Sequence, residues 1–280
     1  MVGKVCLVTG GTSGVGRAVA RGLARLGAEV VIVSRDSSRG EEAVRAIREE
    51  SGNQNVRSLH ADLADLASVR RAAAAFRGEH ERLDVLAETA GIISWRRRMS
   101  VDGHELVFAT NHLAHALLAT ELLELMQRTG ASRLLSVAGG PGLLERARLD
   151  IAELAERRSG YSPVRVAIQT MLARVVWTME AARRWKERGI TANVFYPGAV
   201  RSRLDRGLPL PLRVPASVAM LLLSRECPTG VRACASPEME GVSGRFIVGK
   251  RFREFSNPGS GTETADQLWS LTERLLSVPG

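Results

Sequence analysis

The sequence predicts a single doubly wound α/β domain, a parallel sheet with helices on both faces. Three observations predict it. Short apolar runs alternate strictly with longer amphipathic ones, a glycine-rich turn joins the first pair, and no internal repeat or low-complexity linker divides the chain. Its 280 residues, 45% hydrophobic and 25% charged, suit one domain spanning 1–280.

Taken in order, the short runs place strands at 4–9, 30–34, 56–60, 83–87, 133–137, 191–196 and 245–248. Most are rich in Val, Ile or Leu, 191–196 has Val, Phe and Tyr instead, and all are too short for a stable helix. Helical patterns lie near 15–27, 38–50, 66–78, 103–128, 163–188, 215–224 and 264–276. In the fifth of these, Val164, Ile168, Met171, Val175, Met179 and Ala182 form one apolar stripe, and Ser162-Pro163 reads as an N-cap followed by proline at the first helical position. Strict alternation requires right-handed crossovers and therefore parallel strands. Pro-rich and Gly-rich stretches around 207–215 and 226–244 suggest a surface excursion, so 203–244 is expected to cover a substrate.

Composition narrows the function. The net charge is +9, but of the 39 basic residues only Lys4, Lys186 and Lys250 are lysines, and the arginines are scattered over almost every segment. That distribution argues against a nucleic-acid surface. No run approaches the roughly 20 apolar residues of a membrane span, and MVGKVCLVTG enters a strand directly, so a cytoplasmic protein is expected. Cys6, Cys227 and Cys234 lack metal-ligand spacing and read as buried or idle thiols, with no metal site.

The most informative segment is VCLVTGGTSGVG, followed by RAVARGLARLGA. Gly10, Gly14 and Gly16 between strand and helix allow a tight turn and close approach to a pyrophosphate, with Thr12, Ser13 and Val15 completing the turn. A purely structural glycine turn is the competing reading. After the second strand comes Ser34-Arg35-Asp36; an arginine there accommodates a 2′-phosphate, which favours NADP(H) over NAD(H).

On these residues the chain resembles the short-chain dehydrogenase/reductase family, in particular its retinol-dehydrogenase-like branch. The likeness continues through Ala61-Asp62-Leu63, where Asp62 and Leu63 match an adenine-contacting step, and through Ala90-Gly91, Thr110-Asn111-His112-Leu113-Ala114-His115, Pro197-Gly198 and SPEMEGVSGRF. The resemblance implies a seven-stranded Rossmann-type sheet. It also implies hydride transfer by a Ser, Tyr, Lys and Asn set, a cofactor site including Ser202, and an oligomer built through helices 103–128 and 163–188.

Asn111 occupies the Asn position, but the other three positions depart from the family. Tyr and Lys should stand four residues apart, yet four residues beyond Tyr161 and Tyr196, the only tyrosines, are Arg165 and Val200. Counting back from Glu180-Ala181-Ala182-Arg183-Arg184 puts Ala167 at the Tyr position and Met171 at the Lys position; the rival places Tyr161 and Arg165 there. The Ser position is taken by Gly139, and the family's Asn-Asn-Ala-Gly reads Glu88-Thr89-Ala90-Gly91. Glu88 is either a new acid/base or, as favoured, a carboxylate satisfied by backbone donors. His112 and His115 favour packing over metal binding.

Three functions remain open. One is an NADP(H)-binding homologue repurposed for non-redox chemistry on an apolar small molecule, such as cyclisation, isomerisation or dehydration, in a pocket vacated by the missing set. Its polar candidates are Ser136, Gln169, Thr170 and Ser202. The second is a reductase with a non-standard proton donor such as Tyr161. The third is a non-catalytic partner of an active relative.

Overall fold

The computed structural model describes residues 1–156, 160–201, 223–257 and 261–277. Its sheet is built from β1 (Val5–Thr9), β2 (Glu29–Ser34), β3 (Val56–His60), β4 (Val85–Glu88), β5 (Ser132–Val137), β6 (Ile190–Tyr196), β7 (Phe246–Val248) and β8 (Arg251–Arg253). They lie in the order β3-β2-β1-β4-β5-β6-β7-β8. Seven strands are parallel, as the alternation requires; the eighth, absent from the sequence reading, returns antiparallel to β7. All three of its residues are exposed, so it carries no buried run by which periodicity could reveal it.

The chain reverses between β1 and β4, with β2 and β3 on one side and β5 to β8 on the other. Ligands in such sheets bind outside the carboxyl ends of strands at this switch point. The helices are α1 (Gly14–Arg25), α2 (Ser37–Ser51), α3 (Leu66–Glu79), α4 (Leu106–Phe108), α5 (Ala114–Glu121), α6 (Leu123–Thr129), α7 (Pro141–Leu144), α8 (Ile151–Glu156) and α9 (Pro163–Arg184). Two more follow, Pro228–Ala235 and the C-terminal Thr262–Ser277. Asp36 caps α2 through Arg39 N, Asp65 caps α3 through Ser68 N, and Ser162 caps α9 through Arg165 N.

The helix expected over 103–128 is broken. Helical structure begins at Leu106, Ala109–Leu113 is π-helical, and the axis bends by 51° between α5 and α6. Most of the helix expected at 215–224, and Ser202, lie outside the described residues. The latter part of 203–244 differs from its expectation. Helix Pro228–Ala235 lies under the sheet, with Cys227, Ala233 and Cys234 buried alongside Val19 and Phe195, because its small apolar face fits closely against α1. All three cysteines are buried, and burial pushes the Cys227 thiol up to about 11.

Two apolar layers sandwich the sheet, one beneath α1 and α2, the other beneath α3, α5 and α9. From Val166 to Ala182 every residue of α9 is buried except the half-buried Ile168, Met171 and Met179. The C-terminal helix covers part of it, with Trp269 stacked on Trp177 at 5.2 Å and Trp185 edge-on to both.

Candidate functional site

At the switch point, the β1–α1 turn is held in a shape that only glycine permits. Gly10 and Gly14 have φ of +70° and +58°. A Cβ on Gly16 would stand 2.5 Å from the Gly10 carbonyl oxygen and 2.5 Å from Thr89 Oγ1. Thr12, Ser13 and Val15 are half-buried around the turn, and the first amides of α1 point out of it. Arg35 is exposed at the end of β2, where its carbonyl meets His60 Nε2 at 3.1 Å. Asp62 Oδ1 accepts from Ala64 N, which fixes the loop, while Leu63 packs into the core below it. Ala90 closes the floor beside Gly10, next to the exposed Gly91, and Gly198 turns with φ +74° after Pro197. A glycine cradle, free helix amides and an exposed arginine fit a phosphorylated dinucleotide, whose own chemistry, where it is used, would be hydride transfer.

Beyond the cradle, Gly139, Ala167 and Met171, the positions that the sequence reading aligns with the family's Ser, Tyr and Lys, carry no polar side-chain group. A Cβ on Gly139 would lie 3.3 Å from Met171 Sδ, so the methionine thioether occupies the space beside the end of β5. Ala167, one turn earlier on α9, is buried. Tyr161 precedes the Ser162 cap, and its hydroxyl donates to the Ser94 carbonyl at 2.7 Å, with Glu105 Oε1 at 3.5 Å. Arg165 is exposed. This geometry ties Tyr161 to the 92–100 loop.

The structure places the polar candidates in interior networks. Asn111, in the π-helical stretch, accepts from Ile92 N at 2.8 Å and donates to the Ile92 carbonyl at 3.0 Å and to Thr170 Oγ1 at 3.3 Å. Thr170 is fully buried against it. Gln169 accepts from Asp150 N and donates to the Arg148 carbonyl. Ser136 is fully buried, donating to Glu88 Oε2 at 2.7 Å and accepting from Thr178 Oγ1 at 3.0 Å.

Two features, the surroundings of Glu88 and the burial of Arg174, were not legible in the sequence. Glu88 receives a hydroxyl instead of the backbone donors expected, and its Oε1 has no partner among the described residues. Burial raises its carboxyl to about 7, against the Ser136 hydrogen bond and the Arg174 charge. Arg174, buried on α9, donates to the carbonyls of Asn111 at 2.7 Å and Ala90 at 2.9 Å, approaches that of Val137 at 3.4 Å, and meets His115 Nδ1 at 2.7 Å. His115 Nδ1 also lies 3.2 Å from the Asn111 carbonyl, and its Nε2 lies 3.0 Å from Thr9 Oγ1, which accepts from the Thr89 and Ala90 amides. Burial and then Arg174 hold His115 well below the usual imidazole range. His112 stacks on Phe108 and meets Thr272 Oγ1 at 2.9 Å. Both histidines therefore pack, and no group of three or more metal-ligating side chains occurs among the described residues.

Comparison with known proteins bears on the frame of this site. The model of the short chain dehydrogenase family matches residues 4–150. Human retinol dehydrogenase 14 is 34% identical, the alignment covering 99% of this chain and 88% of that protein. Mouse polyprenol dehydrogenase is also 34% identical, over 99% and 85%. An uncharacterised protein of Mycobacterium paratuberculosis superposes with a TM-score of 0.73 at 27% identity, covering 99% of this chain and 94% of that one. A short chain dehydrogenase of Burkholderia cenocepacia in complex with NADP shares the fold, with a TM-score of 0.64 at 23% identity over 93% and 99%. Related to named retinol dehydrogenases along nearly its entire length and matching the family model over more than half of it, the chain belongs to the retinol-dehydrogenase-like branch of the short-chain dehydrogenase/reductase family.

Proposed function

We propose that this chain binds NADP(H) without consuming it and acts on an apolar small molecule by non-redox chemistry such as cyclisation, isomerisation or dehydration. The observation that carries the reading is the contact between Gly139 and Met171: where β5 meets α9, the meeting surface is carbon and sulfur, with Ala167 beside it. Replacing both members of an ion-coupled pair by apolar groups leaves no buried charge without a partner. Such a surface can bind an organic molecule, exclude water and hold one conformation of it. The nucleotide half of the site is supported by the cradle, by Arg35, and by the NADP carried by a protein of the same fold.

The test joins binding to turnover. Calorimetric titration should give tighter binding of NADPH than NADH, with Arg35→Ala reducing that preference by about tenfold, the loss of one charged contact to a phosphate. Incubation with polycyclic or polyketide-like intermediates should yield product while the NADPH absorbance stays constant. Stoichiometric NADPH oxidation would overturn the reading and establish the reductase alternative, which the naming of the 34%-identical relatives as dehydrogenases favours.

A further inference from the structure

Beside the Gly139–Met171 contact stands a phenol that neither the sequence pattern nor the family's catalytic spacing uses. Tyr196 ends β6 and packs half-buried against the same apolar layer as Ile168 and Met171. A Cβ on Gly140 would lie 3.8 Å from Tyr196 Cζ and 3.9 Å from Cε2, so the hydroxyl-bearing carbon rests against the residue that follows Gly139. Gly140 itself has φ −59° and ψ 136°, a conformation open to any residue. Glycine is therefore not demanded there by the backbone; its effect is that no side chain from residue 140 covers that side of the phenol.

Hydrogen bonding separates this hydroxyl from its neighbours. Ser136, Asn111, Gln169, Thr170 and Tyr161 are all engaged by protein groups. Tyr196 Oη has no partner among the described residues, and it stands at the carboxyl ends of the central strands, where ligands of this sheet type bind. A half-buried donor bordered by methionine and glycine complements an acceptor carried on an apolar body.

We infer that Tyr196, packed over Gly140 beside the Gly139–Met171 contact, donates a hydrogen bond to a carbonyl oxygen of the organic ligand. The substrate class is then an apolar ketone or enone, polarised by the phenol. This rests on the apolar-ligand reading above and adds the chemical group recognised.

The probes are fluorenone and fluorene, which share a shape and differ by the carbonyl, titrated calorimetrically against the full chain with NADPH present. Fluorenone is expected to bind at least about tenfold tighter than fluorene, the discrimination produced by one hydrogen bond to an otherwise unpaired group. Its carbonyl infrared band should shift to lower frequency on binding. Tyr196→Phe should bring the affinity ratio to about one and abolish the shift, whereas Tyr161→Phe leaves both unchanged. Gly140→Val, which covers the phenol, should act like Tyr196→Phe and serves if that variant does not fold. A ratio and band shift that survive both substitutions overturn the assignment while sparing the apolar site, because fluorene still binds. Failure of both probes to bind overturns the assignment and the apolar site together.

Discussion

Glu88 and Arg174 show what a single buried charge contributes at the residue scale. The carboxyl of Glu88 rises from its ordinary 4.5 to about 7, so between those values the folded state holds a proton that the unfolded state has released. Its contribution is fully present below pH 4.5 and is lost as pH rises towards 7, about 3 kcal/mol in all. His112, lowered by burial from 6.5 to about 3, acts oppositely: its stabilisation is present above pH 6.5 and is lost on acidification. The two effects overlap, and a difference measurement separates them. Urea denaturation of the native protein and Glu88→Gln from pH 4.5 to 8 should show the variant gaining about 3 kcal/mol relative to the native chain up to pH 7, then no further change. Parallel curves would show that Glu88 does not titrate in this range. The sequence revealed Glu88 as a departure from the family but not its partner, because Ser136 lies 48 positions away and meets it only when β4 pairs with β5.

At the scale of elements, α9 combines two roles that its sequence lets one see unequally. The apolar spacing through Met171 and Val175 was legible, although the face it marks is not the most buried one, since Val164 is exposed and Ile168, Met171 and Met179 are half-buried. Arg174, flanked by those positions, was not legible as buried, since a helical arginine is ordinarily solvated. In the structure its planar fork joins three segments, the Ala90 floor after β4, the Val137 end of β5, and the π-helical turn at Asn111. Arg174→Lys keeps the charge and loses the fork. It should destabilise the protein by about 2–4 kcal/mol, because buried carbonyls lose charged donors. It should also weaken NADPH binding, since Ala90 borders the cradle at Gly10. Equilibrium denaturation and calorimetry check the two effects separately, and unchanged stability would reduce Arg174 to a spectator.

Across the whole molecule, the C-terminal helix closes the α9 face. Trp269 stacks on Trp177, Arg184 lies 4.7 Å over the Trp269 ring, and the Trp269 indole donates to Glu273 at 2.7 Å. Thr272 on the same helix receives His112, which ties the helix to the π-helical turn beside the site. Trp269→Ala should cost about 3–5 kcal/mol, the usual loss for a large buried aromatic. It should also lower the urea midpoint and shift the remaining tryptophan fluorescence to the red as Trp177 is uncovered. A loss below about 1 kcal/mol would mean that the helix contributes little to the fold.

The sequence by itself determined the layered architecture, because alternating periods of two and 3.6 residues constrain each element locally, and it determined the cradle, because Gly10, Gly14 and Gly16 are demanded by a turn of seven residues. It also showed that no tyrosine stands four residues before a lysine. Only the tertiary structure decided what surrounds the positions that the sequence reading aligns with that set. Met171 fills the space beside Gly139 across 32 positions of chain, Tyr161 turns to the Ser94 loop, Asn111 is spent on Ile92, and Tyr196 packs over Gly140 with no hydrogen-bond partner for its phenol among the described residues. Local spacing specifies which face of an element a side chain occupies. Which hydroxyl or carboxylate finds a partner depends on elements far apart in sequence meeting at one end of the sheet, and that is decided when the sheet and α9 pack together.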